Sequence, residues 1–241
     1  MHGFGFGGNL LQWFGSYLSG RCQRVTTPEG SSEYQPVSSG VPQGSILGPM
    51  LFLIFVNDLP EAVTACDVAS FVDDTKIFKV IKRPENTSEL QKDLDSLSSW
   101  ANETGMTFNT KKSKVMRISL KRNPVERSYS LNSKPLQLSE AEKDLGVWIT
   151  ENLTWSRQVT EVYMKANKLL GFIRRNSRSI KSTQIRRSIY LALVRSHLGH
   201  ATQLWAPQSK VLIKQLGASN AELQNMYSVC LSAVNSHTKK D

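Results

Sequence analysis

Apolar positions along the chain alternate between helical and strand-like periods. Residues 10–18 carry apolar side chains at helical spacing and stop before Gly20, which predicts a helix with a glycine end. Within it Trp13 and Tyr17 lie one turn apart and read as packing residues. Residues 21–26 and 33–37 predict two strands about the polar segment 27–31. Residues 50–56 are apolar throughout and predict a buried helix that ends before Pro60. Residues 68–80 hold two β-branched and aromatic runs separated by Asp73-Asp74, the pattern of a hairpin with both acids at its tip. Asn86-Thr87-Ser88-Glu89 has the form of a helix N-cap, Leu90, Leu94, Leu97 and Ala101 form one stripe behind it, and Gly105 closes it.

Beyond Gly105 the pattern is shorter in range. Residues 106–108 and 115–118 predict strands around a basic loop, and the polar segment 121–132 predicts an exposed connection. Residues 145–149 predict a short strand. Val159, Val162, Ala166, Leu169, Leu170 and Ile173 mark an amphipathic helix, and a second helix starts near Ser182 with Ile185, Ile189 and Leu193. The whole pattern is α+β.

Composition sharpens this. A chain of 241 residues, 39% hydrophobic, can bury a real core in one large domain or two small ones. There are 30 Lys and Arg against 20 Asp and Glu, a net charge of +10. Residues 162–221 contain 11 of those bases and no acid, so the remainder is close to neutral. A one-signed field of this kind attracts polyanions, nucleic acid first and an anionic membrane surface second. The longest apolar run, residues 46–56, is interrupted by Gly48-Pro49 and is too short to span a bilayer. Cys22, Cys66 and Cys230 form no Cys-x-x-Cys pair and read as reduced thiols of a cytosolic or nuclear protein. His197 and His200 lack a third ligand at suitable spacing and read as structural.

Two stretches carry candidate chemistry. Adjacent carboxylates at a hairpin tip repel each other unless a cation sits between them, and such hard oxygen ligands suit Mg²⁺. Asp73 and Asp74 therefore read as half of a metal site for phosphoryl chemistry, or as a plain surface turn. The stretch Ser39-Gly40-Val41-Pro42-Gln43-Gly44-Ser45-Ile46-Leu47-Gly48-Pro49 combines glycines, which admit unusual dihedrals and close backbone approach, with stiffening prolines. Alone it also fits an ordinary loop capping a core helix. The bases Arg174, Arg175, Arg178, Lys181, Arg186 and Arg187 cluster where the two C-terminal helices meet.

The ordered set of Ser39-Gly40-Val41-Pro42-Gln43-Gly44-Ser45-Ile46-Leu47-Gly48-Pro49, Phe71-Val72-Asp73-Asp74, Asn109-x-x-Lys112-Ser113 and Leu145-Gly146-Val147 resembles the reverse transcriptase of non-LTR, LINE-type retrotransposons, in the jockey-like branch, the Ser-Ile-Leu-Gly-Pro ending favouring that type over the similar group II intron enzymes. The resemblance runs from about residue 10 to 205. It implies part of a right-hand polymerase: a partial palm of antiparallel sheet and helices over residues 1–150, then a helical, basic thumb over 151–216 and a divergent tail over 217–241. It implies two Mg²⁺ ions that promote attack of a primer 3′-hydroxyl on a nucleotide. Its partners would be an RNA template, a DNA primer and deoxynucleoside triphosphates, with no membrane.

The same resemblance assigns roles. Asp73 would be the main metal ligand and Asp74 its neighbour. Gly40, Pro42, Gln43 and Gly44 would form the floor under the nascent base pair, with Gln43 on the template. Lys112 would protonate the leaving pyrophosphate. Leu145, Gly146 and Val147 would belong to the primer grip, and the six bases would hold the nucleic-acid backbone. Members of the family also carry an upstream catalytic aspartate, whereas no Asp precedes Asp58 here, and Glu29 and Glu33 lie in the predicted hairpin. The expectation is a domain fragment inactive by itself. The alternative is a non-enzymatic nucleic-acid-binding remnant of the same element.

Overall fold

The computed structural model describes residues 2–121, 124–177, 179–180, 182–214 and 216–217. Of the expected tail only Gly217 is among them. The chain divides into two compact units, residues 1–113 with 125–136, and residues 114–124 with 137–241.

The first unit opens with helix α1, Gly8–Leu18, which ends before Gly20 as the pattern predicts. The expected strand pair follows in two short antiparallel ladders. Cys22–Gln23 pairs with Gln35–Pro36, and Thr26–Thr27 with Gly30–Ser31. Helix α2, Gly48–Phe55, begins with Pro49 in its first turn. It buries Leu51, but Met50, Leu53 and Phe55 are about half exposed. That corrects the expected burial, since these three side chains are only half covered.

Strands β1, Asp67–Phe71, and β2, Asp74–Phe78, form the expected hairpin. Cross-strand partners share a face, so Val68 with Ile77 points one way and Phe71 with Asp74 the other. Val68 and Ile77 pack onto Leu59, Leu97, Trp100 and Ala101, the core supplied mostly by helix α3, Pro84–Thr104. Full burial of a side chain such as Leu97 contributes about 2 kcal/mol.

Helix α3 starts three residues earlier than the sequence suggests. Pro84 occupies its first position, and Asn86 Oδ1 accepts from the N–H of Arg83 at 3.1 Å. The helix ends at Gly105, whose φ of 71° is the left-handed stop that glycine supplies.

Residues 106–108 are not a strand. Met106 and Phe108 pack on the α3 core instead. Residues 121–132 are not wholly exposed either. Tyr129 and Leu131 are buried, and Ser130–Leu131 pairs with Lys134–Pro135. The polar side of α3 holds this segment: Gln91 bonds both the N–H and the C=O of Ser130, and Arg127 donates to Ser88 Oγ at 2.7 Å.

In the second unit Lys114–Val115 pairs in parallel with Gln137–Leu138, so only the start of the expected 115–118 strand forms. Strands β3, Ala141–Asp144, and β4, Val147–Thr150, make a second antiparallel hairpin. Leu145 and Gly146, expected in a strand, are its turn, with φ of 44° and 92°. Helix α4, Ser156–Asn176, buries Val159, Ala166, Leu170 and Ile173 along the predicted stripe.

Helix α5, Thr183–Tyr190, starts at Ser182, whose Oγ accepts from Ile185 N–H. It runs on through a π-helical turn, Leu191–Arg195. Its buried stripe differs from the expected one. Tyr190 and Val194 pack against Ala166, Leu170 and Ile173, while Ile185 and Leu193 are exposed. Ile189, expected on the stripe, packs against the same cluster from a half-buried position. A further cluster joins Val147, Val159 and Trp205.

Among the described residues the strands form two-stranded ladders, all antiparallel but one, and not one continuous sheet. The fold is α+β. Among the same residues no helix is long and apolar enough to cross a membrane.

Candidate functional site

The β1–β2 hairpin closes through Val72 and Asp73, with Phe71 and Asp74 as its last paired residues. Val72 has φ of 57°. A positive φ at the first central position is what a two-residue hairpin turn of the II′ kind needs, and glycine is usual there. A β-branched residue in that region is strained by roughly 1–3 kcal/mol. Asp73 and Asp74 are both exposed at this tip.

The base of the hairpin is tied down by polar contacts that sequence reasoning missed. Asp93 on α3 is only 2% exposed. Its carboxylate accepts from the N–H of Thr64 at 3.2 Å, the N–H of Ala65 at 2.9 Å and the Thr64 hydroxyl at 3.3 Å. Burial alone would raise its pKa. The Cys66 thiol and the backbone N–H groups of Thr64, Ala65 and Cys66 outweigh that and hold it below the usual carboxylate range.

Burial, and then the hydrogen bond to Asp93, push the Cys66 thiol up to about 12, so it stays protonated. Lys79, just after β2, pairs with Glu89 of α3 at 2.7 Å and also donates to the Ala65 carbonyl. The bond to Glu89 keeps the Lys79 ammonium above its ordinary value. One signal for Asp93 existed in the sequence: it lies on the stripe between Leu90 and Leu97.

The glycine-rich stretch folds into a tight turn. Pro42 C=O accepts from Ser45 N–H at 3.3 Å, with Gln43 and Gly44 at the two corners. Gly44 has φ of 78°, which a type II turn requires at its second corner. Gln43 stands exposed. Ser45 Oγ donates to Pro42 C=O at 2.8 Å and accepts from Gly48 N–H at 2.9 Å, joining the turn to the start of α2. A Cβ on Gly48 would sit 2.9 Å from the Pro42 oxygen, so close packing excludes a side chain. Arg21 bonds the carbonyls of Leu18, Ser39 and Gly40, and so ties the end of α1 to this stretch. Nothing local in the sequence marks Arg21 for that role.

Lys112 is exposed on a turn organised by Asn109, whose side chain accepts from Lys112 N–H at 3.2 Å and whose carbonyl accepts from Ser113 N–H at 2.9 Å. In the second unit the Leu145–Gly146 turn lies against His200. The imidazole Nε2 is 3.3 Å from the Leu145 carbonyl oxygen, and a Cβ on Gly146 would come within 3.0 Å of it. Burial holds the neighbouring His197 below its ordinary pKa. Arg174, Arg175 and Arg187 are exposed in the last turns of α4 and α5, where cations also suit the helix dipole. Arg186 is half-buried and donates to the Ser177 carbonyl at 3.2 Å. Arg178 and Lys181 lie outside the described residues.

The donor chemistry at the hairpin tip suits a hard divalent cation. Among the described residues, however, no three His, Cys, Asp or Glu side chains come together as a metal-binding group. Two carboxylates are short of the ligand set that a two-ion site needs.

The sequence profile of reverse transcriptase (RNA-dependent DNA polymerase) matches residues 1–173, and the chain belongs to that family. Within it the relatives are of the non-LTR, LINE type. The chain is 32% identical over 155 residues to the RNA-directed DNA polymerase from mobile element jockey of Drosophila melanogaster, covering 61% of this chain and 17% of that protein. It is 27% identical over 222 residues to the probable RNA-directed DNA polymerase from transposon X-element of the same species, covering 89% and 24%. A jockey polymerase of Drosophila funebris is 28% identical over 231 residues, again covering 89% and 24%. The chain thus spans no more than about a quarter of the length of these curated relatives. No solved structure matches it.

Proposed function

We propose that this chain is the palm-and-thumb portion of a non-LTR retrotransposon reverse transcriptase, with Asp73 and Asp74 as one wall of its metal site. The carrying observation is the two-residue β1–β2 hairpin, which presents both carboxylates to solvent in a chain of this family. Reverse transcriptases use a divalent metal, which supplies Lewis-acid stabilisation of the transferring phosphoryl group when bound. The residues of this chain would do the rest. Asp73 and Asp74 orient the cation. The Gln43 corner meets the templating strand, and Lys112 carries the proton for the leaving pyrophosphate. The Leu145–Val147 turn steadies the primer, residues 1–150 act as palm and 151–216 as thumb. RNA template, DNA primer and deoxynucleoside triphosphates are the partners this reading names.

In this reading the opposite wall of the metal cage must come from another segment of polypeptide, so the 241 residues alone do not extend a primer. Joining the fingers and first palm strand of an intact relative to the N-terminus should restore extension. Asp73→Asn in that fusion should abolish it, because a neutral amide does not replace the ligand charge. A fusion equally active with and without Asp73→Asn would refute the assignment.

A second reading, nucleic-acid binding without chemistry, is favoured by the acid-free segment 162–221. Charge reversal at Arg174, Arg175 and Arg187 should weaken RNA binding and flatten its dependence on salt, since each phosphate contact adds to that slope. Unchanged salt titrations would mean the cluster is only a solvated face.

A further inference from the structure

The second unit holds a cleft of about 420 Å³ that none of the roles above uses. Lys114, Leu138, Ser139, Glu140, Glu142 and Trp148 line it together with Arg157. Three contacts give it a fixed shape. The guanidinium carbon of Arg157 lies 3.8 Å from the centre of the Trp148 ring, a close cation–π stack. The backbone N–H of Trp148 donates to Gln158 Oε1 at 2.9 Å, and Gln158 is only 2% exposed. That bond fastens β4 to the first turn of α4, so Arg157, one residue before Gln158, is held on the indole. Lys114 Nζ pairs with Glu142 Oε1 at 2.8 Å on the cleft wall. Burial works against the Glu142 charge, but Lys114 and Ser139 prevail and hold its carboxyl below the usual range.

A cleft walled by a stacked Trp–Arg pair, with carboxylates and a lysine at its edge, has the parts that recognise one nucleobase. Unpaired bases stack on aromatic rings or on the plane of a guanidinium, and carboxylates accept from exocyclic amino groups. Ammonium and guanidinium groups serve the adjoining phosphates. Trp148 is three residues from the tip of the β3–β4 hairpin and directly opposite Lys143.

We propose that this cleft binds an unpaired base of a single-stranded nucleic acid, stacked on the Trp148–Arg157 pair. The inference rests on the nucleic-acid reading above and adds to it a base-dependent contact separate from the Arg174–Arg175 region. Stacking depends on the base face, whereas backbone contacts do not.

The test uses the whole 241-residue chain in fluorescence anisotropy titrations. One probe is a labelled 12-nucleotide single strand, and the other is the same length of abasic backbone. The base-bearing strand should bind about tenfold tighter. Trp148→Leu, which changes no charge, should erase that preference while leaving abasic affinity unchanged, and Trp148→Phe should retain part of it. Equal binding of both strands by the unmodified chain overturns the stacking site alone. So does a preference that survives Trp148→Leu. Binding of neither strand overturns the nucleic-acid reading with it.

Discussion

The β1–β2 and β3–β4 hairpins share one construction. Each is an antiparallel pair closed by two residues, and each is tied by a buried polar side chain to a helix of 21 residues. Asp93 of α3 anchors the chain entering β1, and Gln158 of α4 anchors β4. Their tips differ. At the first, a valine takes a conformation that suits glycine, Phe71 and Val72 are about half exposed, and two like charges sit side by side. At the second, Leu145 is likewise at positive φ and about half exposed, but glycine follows it in the left-handed region at little steric cost, with His200 close against it. The contrast teaches where each unit places its stability. The hairpin with candidate chemistry is rigid at its base and strained and open at its tip. The other is open at its tip too and also holds a non-glycine residue, Leu145, at positive φ, but its two turn residues are uncharged and His200 lies against its glycine.

The largest expected effect lies at the first base. Asp93→Ala leaves two buried-side N–H donors without their acceptor and should cost about 3 kcal/mol, read from urea unfolding at neutral pH. A loss below about 1 kcal/mol would break the comparison, because the anchor would then be incidental. The folded-state pKa of Asp93 is depressed, so its contribution is present above the ordinary carboxylate pKa and is lost as pH falls through the depressed value. Unfolding midpoints should therefore fall with acid more steeply in the parent than in Asp93→Asn.

A smaller loss is expected at the second tip. Gly146→Ala forces a methyl to 3.0 Å from His200 Nε2 at φ of 92° and should cost about 2 kcal/mol. His200→Ala should relieve only the steric share, so a double-mutant cycle separates contact from backbone strain. The smallest effect has the opposite sign. Val72→Gly should stabilise by about 1 kcal/mol if the tip is strained as described, offset by the entropy glycine adds to the unfolded chain. A clear destabilisation would mean that Val72 packing outweighs its backbone cost.

Much of this was legible in the sequence, for local reasons. The β-branched and aromatic runs around Asp73-Asp74 specify a hairpin whatever surrounds it, and the α4 stripe from Val159 to Ile173 needs only helical spacing. The ordered motifs pointed to the family that the matching profile then showed. What escaped was decided by partners distant in the chain. Asp93 sits on an apolar stripe, where an acid looks misplaced until the N–H groups of Thr64 and Ala65 are seen to meet it. Arg21 works on carbonyls 18 and 19 residues away. Met106 and Phe108 have strand-like composition, yet their side chains pack on α3 and the backbone is left unpaired with any strand. Leu145 looked like the start of a strand because the turn needed positive φ at a residue that seldom adopts it.

The central claim, that Asp73 and Asp74 are one wall of a metal site completed by other polypeptide, is tested most directly by primer extension. The purified 241-residue chain and its Asp73→Asn variant are assayed on a poly(rA) template with an oligo(dT) primer, in Mg²⁺ and in Mn²⁺. The account predicts no extended product from either protein. Extension by the unmodified chain that disappears with Asp73→Asn would contradict it, because the carboxylates within these residues would then suffice for catalysis.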